Sequence, residues 1–384
     1  MLFVTILRIA NGNSSQMSFR SLFILFITLV LFSATGLAQD KKPEDEVIRV
    51  DTQLVDVPIA VTTSNGTPVK GLKATNFAVT EDGKPQEIID FSTTTEPFEV
   101  ALLLDTSGST RNDLQLIQRA AQDFIASLRP GDRVAVIAYK TERTETSASA
   151  VSEVLSPLTG DRATLKRAID NITMSNGTPY YDSLVQIAEK VFQNKPADEF
   201  RGRRAVVALT DGVDSTSGLD FATAKEQFGE AGIISFFIKV DTRDFFEEGL
   251  LGDCQSAIKF SAAQIRRYYR SIQQTDNMEK VSRFCALGDF ERLAISKKLY
   301  ELADTEMNEL ARSSGGKVFP LGDLSEARLV FRKVAEEIGT KYTLGYYPSN
   351  DKRDGTHRKI KVTVKGAPVG AVVRAREGYT APAN

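Results

Sequence analysis

Short apolar runs alternate with helix-like stretches along the middle of the chain. Residues 100–104, 134–139, 205–209, 233–240 and 317–321 are aliphatic or aromatic almost throughout, while residues 114–128, 181–192 and 221–231 space their apolar side chains by three and four. A run that is apolar on both faces belongs to a covered strand, and strands separated by helices are joined by crossovers. The expected fold class is therefore α/β, a doubly wound and mainly parallel sheet with helices on both faces, over residues 96–343. Residues 148–155 are expected as an antiparallel edge strand.

One interval breaks the rhythm. Residues 242–315 are far too many for an ordinary connection between two such strands, so they should carry helices of their own. Ile258, Ser261, Ile265, Tyr268 and Ile272 suggest one amphipathic helix, and Leu293, Ser296, Tyr300, Ala303, Met307 and Leu310 a second. Lys259, Arg266, Arg267 and Arg270 give the first a basic side, read as a solvated surface.

The ends of the chain differ from its middle. Residues 39–95 show period-two alternation at Val55, Val57, Ile59 and Val61, with turn signals at Asn65-Gly66 and Asp82-Gly83. So few residues make a thin core. Residues 344–384 offer further strands, with Ile360, Val362 and Val364 alternating and residues 372–376 expected to return antiparallel to them. The expectation is one small β-sandwich-like domain assembled from both ends, with the α/β domain inserted.

Residues 1–38 read as a secretory signal, with a start at Met17, a basic Arg20, an apolar stretch over 22–32 and cleavage after Ala38. An uncleaved anchor or a misassigned start at Met1 are the alternatives. On the first reading the mature protein is secreted or periplasmic and has no membrane span. Cys254 and Cys285 are too few for a four-cysteine zinc site; one disulfide and two free thiols are both compatible with them. A formal net charge of -2 argues against bulk attraction to nucleic acid or anionic lipid.

Three loops carry the chemistry. DTSGS at 105–109 follows a strand, SNGTPYYDSL at 175–184 opens a helix, and LTDGVD at 209–214 ends another strand. In a doubly wound sheet they can converge on one edge. They offer Asp105, Ser107, Ser109, Thr178 and Asp211, an all-oxygen set of two acids and three hydroxyls, which suits a hard divalent cation. Taken singly each loop is an ordinary turn or helix start; three in this order are a signature.

These residues resemble the von Willebrand factor type A domain family. DTSGS matches its D-x-S-x-S motif, Thr178 stands where its second-loop threonine does, and Asp211 lies in its T-D-G loop. The flanking stretches GTPVKGLKATNFAVTEDGKPQEIIDF and YTLGYYP resemble a group of secreted bacterial proteins that carry this domain. The resemblance implies a metal-ion-dependent adhesion site. There Ser107, Ser109 and Thr178 would bind the ion through hydroxyls, Asp105 and Asp211 would orient them and the ion's water, and a partner protein's carboxylate would take the open position. Mg2+ is the expected ion, with Mn2+ or Ca2+ as alternatives.

Enzymatic readings are weaker. The one histidine, His357, lies in a charged turn, no G-x-S-x-G elbow occurs, and Asp105 lacks the contiguous motif of an aspartic protease. A metal-assisted hydrolase would need Asp182 or Asp214 as its base, and Asp182 reads more simply as a residue orienting the threonine loop. A structural or assembly protein with a vestigial metal site is the remaining alternative.

Overall fold

The computed structural model describes residues 54–93, 96–108, 114–145, 147–273 and 284–383. Ser109 and the whole stretch read as a signal sequence lie outside these residues. Among those described, no helix is long and apolar enough to cross a membrane.

The centre is a six-stranded sheet. From one edge to the other it runs Lys317–Leu321, Ile234–Val240, Arg204–Thr210, Glu99–Leu104, Arg133–Arg143 and Ala148–Thr159. All neighbours are parallel except the last pair. Glu99–Leu104 is buried from end to end because both its faces are covered. Val100, Leu102 and Leu104 pack under helices Leu114–Ser127, Arg162–Asp170 and Ala327–Ile338. Ala101 and Leu103 point the other way, onto Tyr180, Leu184, Phe228 and Met307. Alternate side chains thus feed two cores, as the pleat requires.

Among its described residues, the interval after Ile234–Val240 holds three α-helices, Arg243–Leu250, Ala262–Ser271 and Asp289–Ser314. The last does two jobs. Its carboxyl-terminal half sets Met307, Leu310 and Ala311 on the sheet as the ordinary crossover helix would. Its first half sets Ile295, Leu299, Tyr300 and Ala303 against Leu250, Phe260, Ile265 and Phe284 in a separate small core. Cys254 and Cys285 form a disulfide across this unit. The middle helix begins later than its apolar spacing suggests. Ser261 is its cap, accepting from Gln264 N–H, while the Gln264 side chain accepts from Ser261 N–H. The basic side is also not uniform: Arg267 turns inward to Glu306 at 2.6 Å, and Lys259 lies before the helix.

Two antiparallel four-stranded sheets complete the molecule. One has the order Val372–Ala375, Val55–Thr62, Tyr342–Tyr346, Asp90–Ser92; the other Gly378–Thr380, His357–Val364, Phe77–Glu81, Lys84–Gln86. Asp82-Gly83 makes a two-residue hairpin with φ of 47° and 82°, the left-handed pair such a loop demands. The expected pairing of residues 372–376 with 359–365 is not what forms. Val372–Ala375 pairs with Val55–Thr62, and His357–Val364 pairs with Phe77–Glu81, so the two segments lie in different sheets over a shared core. Alternation identifies strands but cannot choose between partners of like pattern. Tyr342–Tyr346 straddles the expected boundary between residues 343 and 344 and is wholly a central strand of the first of these sheets.

Candidate metal centre

After Glu99–Leu104 the chain turns to Arg133–Arg143 on one side, and later reaches Arg204–Thr210 on the other. Where the order reverses, the loops beyond the strand ends separate and leave a crevice. Asp105 is the first residue past that strand, and Asp211 the first past its neighbour.

Both acids are buried, at 1% and 7% exposure. Asp105 accepts from Ser107 N–H at 3.0 Å and from the Thr210 hydroxyl at 2.8 Å. Asp211 accepts from Val213 N–H at 2.9 Å and from the Thr242 hydroxyl at 2.5 Å. Burial raises the pKa of Asp105, against the pull of the Ser107 and Thr210 hydrogen bonds. Burial also lifts Asp211, and the nearby Asp105 charge adds to it, bringing its pKa up to about 7. Asp211 has no cationic side chain in salt-bridge contact among the described residues.

The other loops are tied to this pair. Ser175 N–H donates to Thr106 carbonyl at 2.8 Å, joining the second loop to the first. Thr178 N–H donates to the Ser215 hydroxyl at 2.8 Å, and the Thr178 carbonyl accepts from Ser215 N–H, joining the second loop to the third. Gly177 makes this closeness feasible, because a Cβ there would lie 2.7 Å from Thr216 Cγ2. Ser107, Thr178 and Asp211 all line one cleft of about 790 Å3. Asp105 lies behind it, and Ser109 lies outside the described residues.

Several residues of the site carry no motif. Thr242 bonds Asp211 and also the Tyr300 hydroxyl at 2.8 Å, so the long helix reaches the centre through one threonine. Its position was accessible in principle: Asp241-Thr242 follows the next parallel strand, where further site residues belong. Asp182 accepts from Gly218 and Leu219 N–H, which makes it a brace for the third loop. Asp214 accepts from Tyr180 N–H and from Ser217, pinning the helix after Thr178.

The donor set fits a hard divalent cation. Buried Asp105 and Asp211 repel one another beside a cleft that Ser107, Thr178 and Asp211 line, and a cation there would relieve the repulsion. Ser107 and Thr178 would hold it directly, with Asp105 and Asp211 fixing hydroxyls and water.

A doubly wound sheet with acid and hydroxyl loops at its reversal point defines a class of α/β domain. Residues 100–213 match the family model for the von Willebrand factor type A domain, and the chain carries a domain of that family. No curated protein matches the chain. Among solved structures, a von Willebrand factor type A protein from Catenulispora acidiphila aligns at 13% identity over 87% of this chain and 74% of its own, with a TM-score of 0.40. A conserved hypothetical protein, BatB, from Bacteroides thetaiotaomicron aligns at 15% identity over 62% and 98%, TM-score 0.39. Proximal thread matrix protein 1 from the mussel byssus aligns at 14% over 75% of this chain but only 50% of its own length, TM-score 0.40.

Proposed function

We propose that the chain is a metal-dependent protein-binding module that works outside the cytoplasm, holding Mg2+ at Ser107, Thr178 and, with them, Ser109. A carboxylate of a partner protein completes the ion's shell. Domains of this family commonly mediate protein–protein contacts, and the matched residues 100–213 include Asp105, Ser107, Thr178 and Asp211. The observation that carries the reading is the buried Asp105–Asp211 pair beside Ser107 and Thr178 in one cleft. Such a shell supplies little direct negative charge, so the ion still attracts an acid from outside.

Binding is favoured over hydrolysis by what the nearby acids already do. Both oxygens of Asp182 and both of Asp214 accept hydrogen bonds from loop backbone or Ser217. Those bonds hold Asp182 and Asp214 as braces of the second and third loops, a positioning role that accounts for both acids without catalysis. The Cys254–Cys285 bridge supports an oxidising compartment.

The test is capture of partners from the native source on immobilised full-length protein, in Mg2+ and in EDTA. The reading predicts proteins retained in Mg2+, released by EDTA and absent from a Ser107→Ala column. Retention unaffected by EDTA and by that substitution would instead favour a structural protein with a vestigial site.

A further inference from the structure

Thr242 stands at the start of helix Arg243–Leu250, where a threonine hydroxyl ordinarily accepts a hydrogen bond from the helix's first turn. Here it makes no such cap. The hydroxyl turns to the metal loops instead: it donates to Asp211 Oδ2 at 2.5 Å, and the Tyr300 hydroxyl lies 2.8 Å from it on the other side. All three residues are buried. Tyr300 is 58 residues further along the chain than Thr242 and belongs to the small core of the insertion. Its ring stands edge-on to Phe246 at a centroid distance of 6.5 Å.

The direction of these bonds follows from counting hydrogens. A threonine hydroxyl carries one, and Thr242 gives it to Asp211, so toward Tyr300 it can only accept. The Tyr300 O–H is therefore the donor. Burial raises its pKa and the Asp211 charge adds to the rise, so it keeps that hydrogen. The other acid has a matching arrangement made without the insertion. Gly212 N–H donates to Thr210 Oγ1 at 2.9 Å, and Thr210 donates to Asp105 Oδ2 at 2.8 Å. Each acid is thus met by a threonine that a further donor orients. For Asp105 that donor is loop backbone; for Asp211 it is a side chain of the long helix. Val213 N–H, on the other oxygen of Asp211, belongs to the same turn as the acid.

We propose that Tyr300 and Thr242 are positioning residues of the metal centre: the series of donors from Tyr300 through Thr242 fixes the Asp211 carboxylate in one orientation, and through it the helical insertion sets how tightly the centre holds its cation. The inference rests on the metal-dependent reading above. A hydroxyl that accepts a hydrogen bond donates its own more strongly. Partners that orient the groups around a metal change its affinity by about 10- to 100-fold when they are removed.

Mg2+ calorimetry on the full chain tests each link, with circular dichroism and melting in EDTA to establish that every variant is folded. Tyr300→Phe keeps the ring that meets Phe246 and removes only the hydroxyl. Its Mg2+ affinity falls about tenfold. Thr242→Val loses at least as much, while Thr242→Ser, which keeps the hydroxyl, stays near wild type. Tyr300→Phe added to Thr242→Val costs nothing further, because Tyr300 acts only through Thr242. A purely structural effect of Tyr300 would cost the same factor in both backgrounds. That result, an unchanged affinity in Tyr300→Phe, or a Thr242→Ser as weak as Thr242→Val would overturn the proposal. If Thr242→Val does not fold, Tyr300→Phe beside Thr242→Ser decides. The levels separate in the wild type: Mg2+ binding there with no change in Tyr300→Phe removes this inference alone, and no Mg2+ binding removes the metal-dependent reading and the inference with it.

Discussion

Asp211 shows how much of this site depends on two atoms being in an unfavourable place. Its carboxylate is buried, faces the charge of Asp105, and is lifted from 3.8 to about 7. The folded chain then holds the proton more tightly than the unfolded chain, so between about pH 4 and 7 metal-free stability falls as the pH rises, and below that window it is level. Asp214 and Asp56, each lifted to about 6 by burial, act in the same direction. In EDTA the melting temperature should drop by several degrees from pH 5 to pH 7.5, less so in Asp211→Asn, whose loss isolates this one acid. Saturating Mg2+ should flatten the curve, because the cation replaces the proton. A melting temperature in EDTA that is the same at both pH values would contradict the burial argument. At this scale the sequence was readable where a motif existed, at Asp105, Ser107, Thr178 and Asp211. Thr242 could have been found from its place after the next parallel strand, but Tyr300 could not, since its hydroxyl acquires a role only when a distant helix brings it to Thr242.

Helices and strands announced themselves to different degrees. The crossover strands and helix Phe221–Ala231 follow directly from apolar runs and periodic spacing. Helix Arg243–Leu250 does not, because a stretch of eight residues with four charges has too few turns to show a period. The start of Ala262–Ser271 was misplaced because Ser261 fits the apolar spacing and is in fact the capping residue. The disulfide belongs to this scale too. It closes a loop with a sequence separation of 31 residues, which includes helix Ala262–Ser271, and should contribute about 2–4 kcal/mol. Mass spectrometry of non-reduced protein should find neither cysteine open to alkylation, and Cys254→Ser with Cys285→Ser should lower the melting temperature while leaving the central sheet folded. Two alkylatable thiols in the non-reduced chain would sink that account.

At the scale of the whole molecule, the two ends of the chain contribute strands to both outer sheets, and the α/β domain carries the site at the far reaches of its central strands. The strands at each end could be read locally, but their pairing could not, since Ile360 and Val373 fit either sheet by pattern alone. The long helix Asp289–Ser314 unites the levels: it covers the sheet with Met307, builds the insertion with Leu299, and reaches the acids through Tyr300 and Thr242. The central claim is that Ser107 and Thr178 hold a divalent cation in front of Asp105 and Asp211. Magnesium titration calorimetry of the full chain, beside Ser107→Ala and Thr178→Ala, tests it most directly. The account predicts one saturable site in wild type, its loss in Ser107→Ala, a clear weakening in Thr178→Ala, and an unchanged fold in both variants by circular dichroism. Equal magnesium affinity in all three proteins would contradict it.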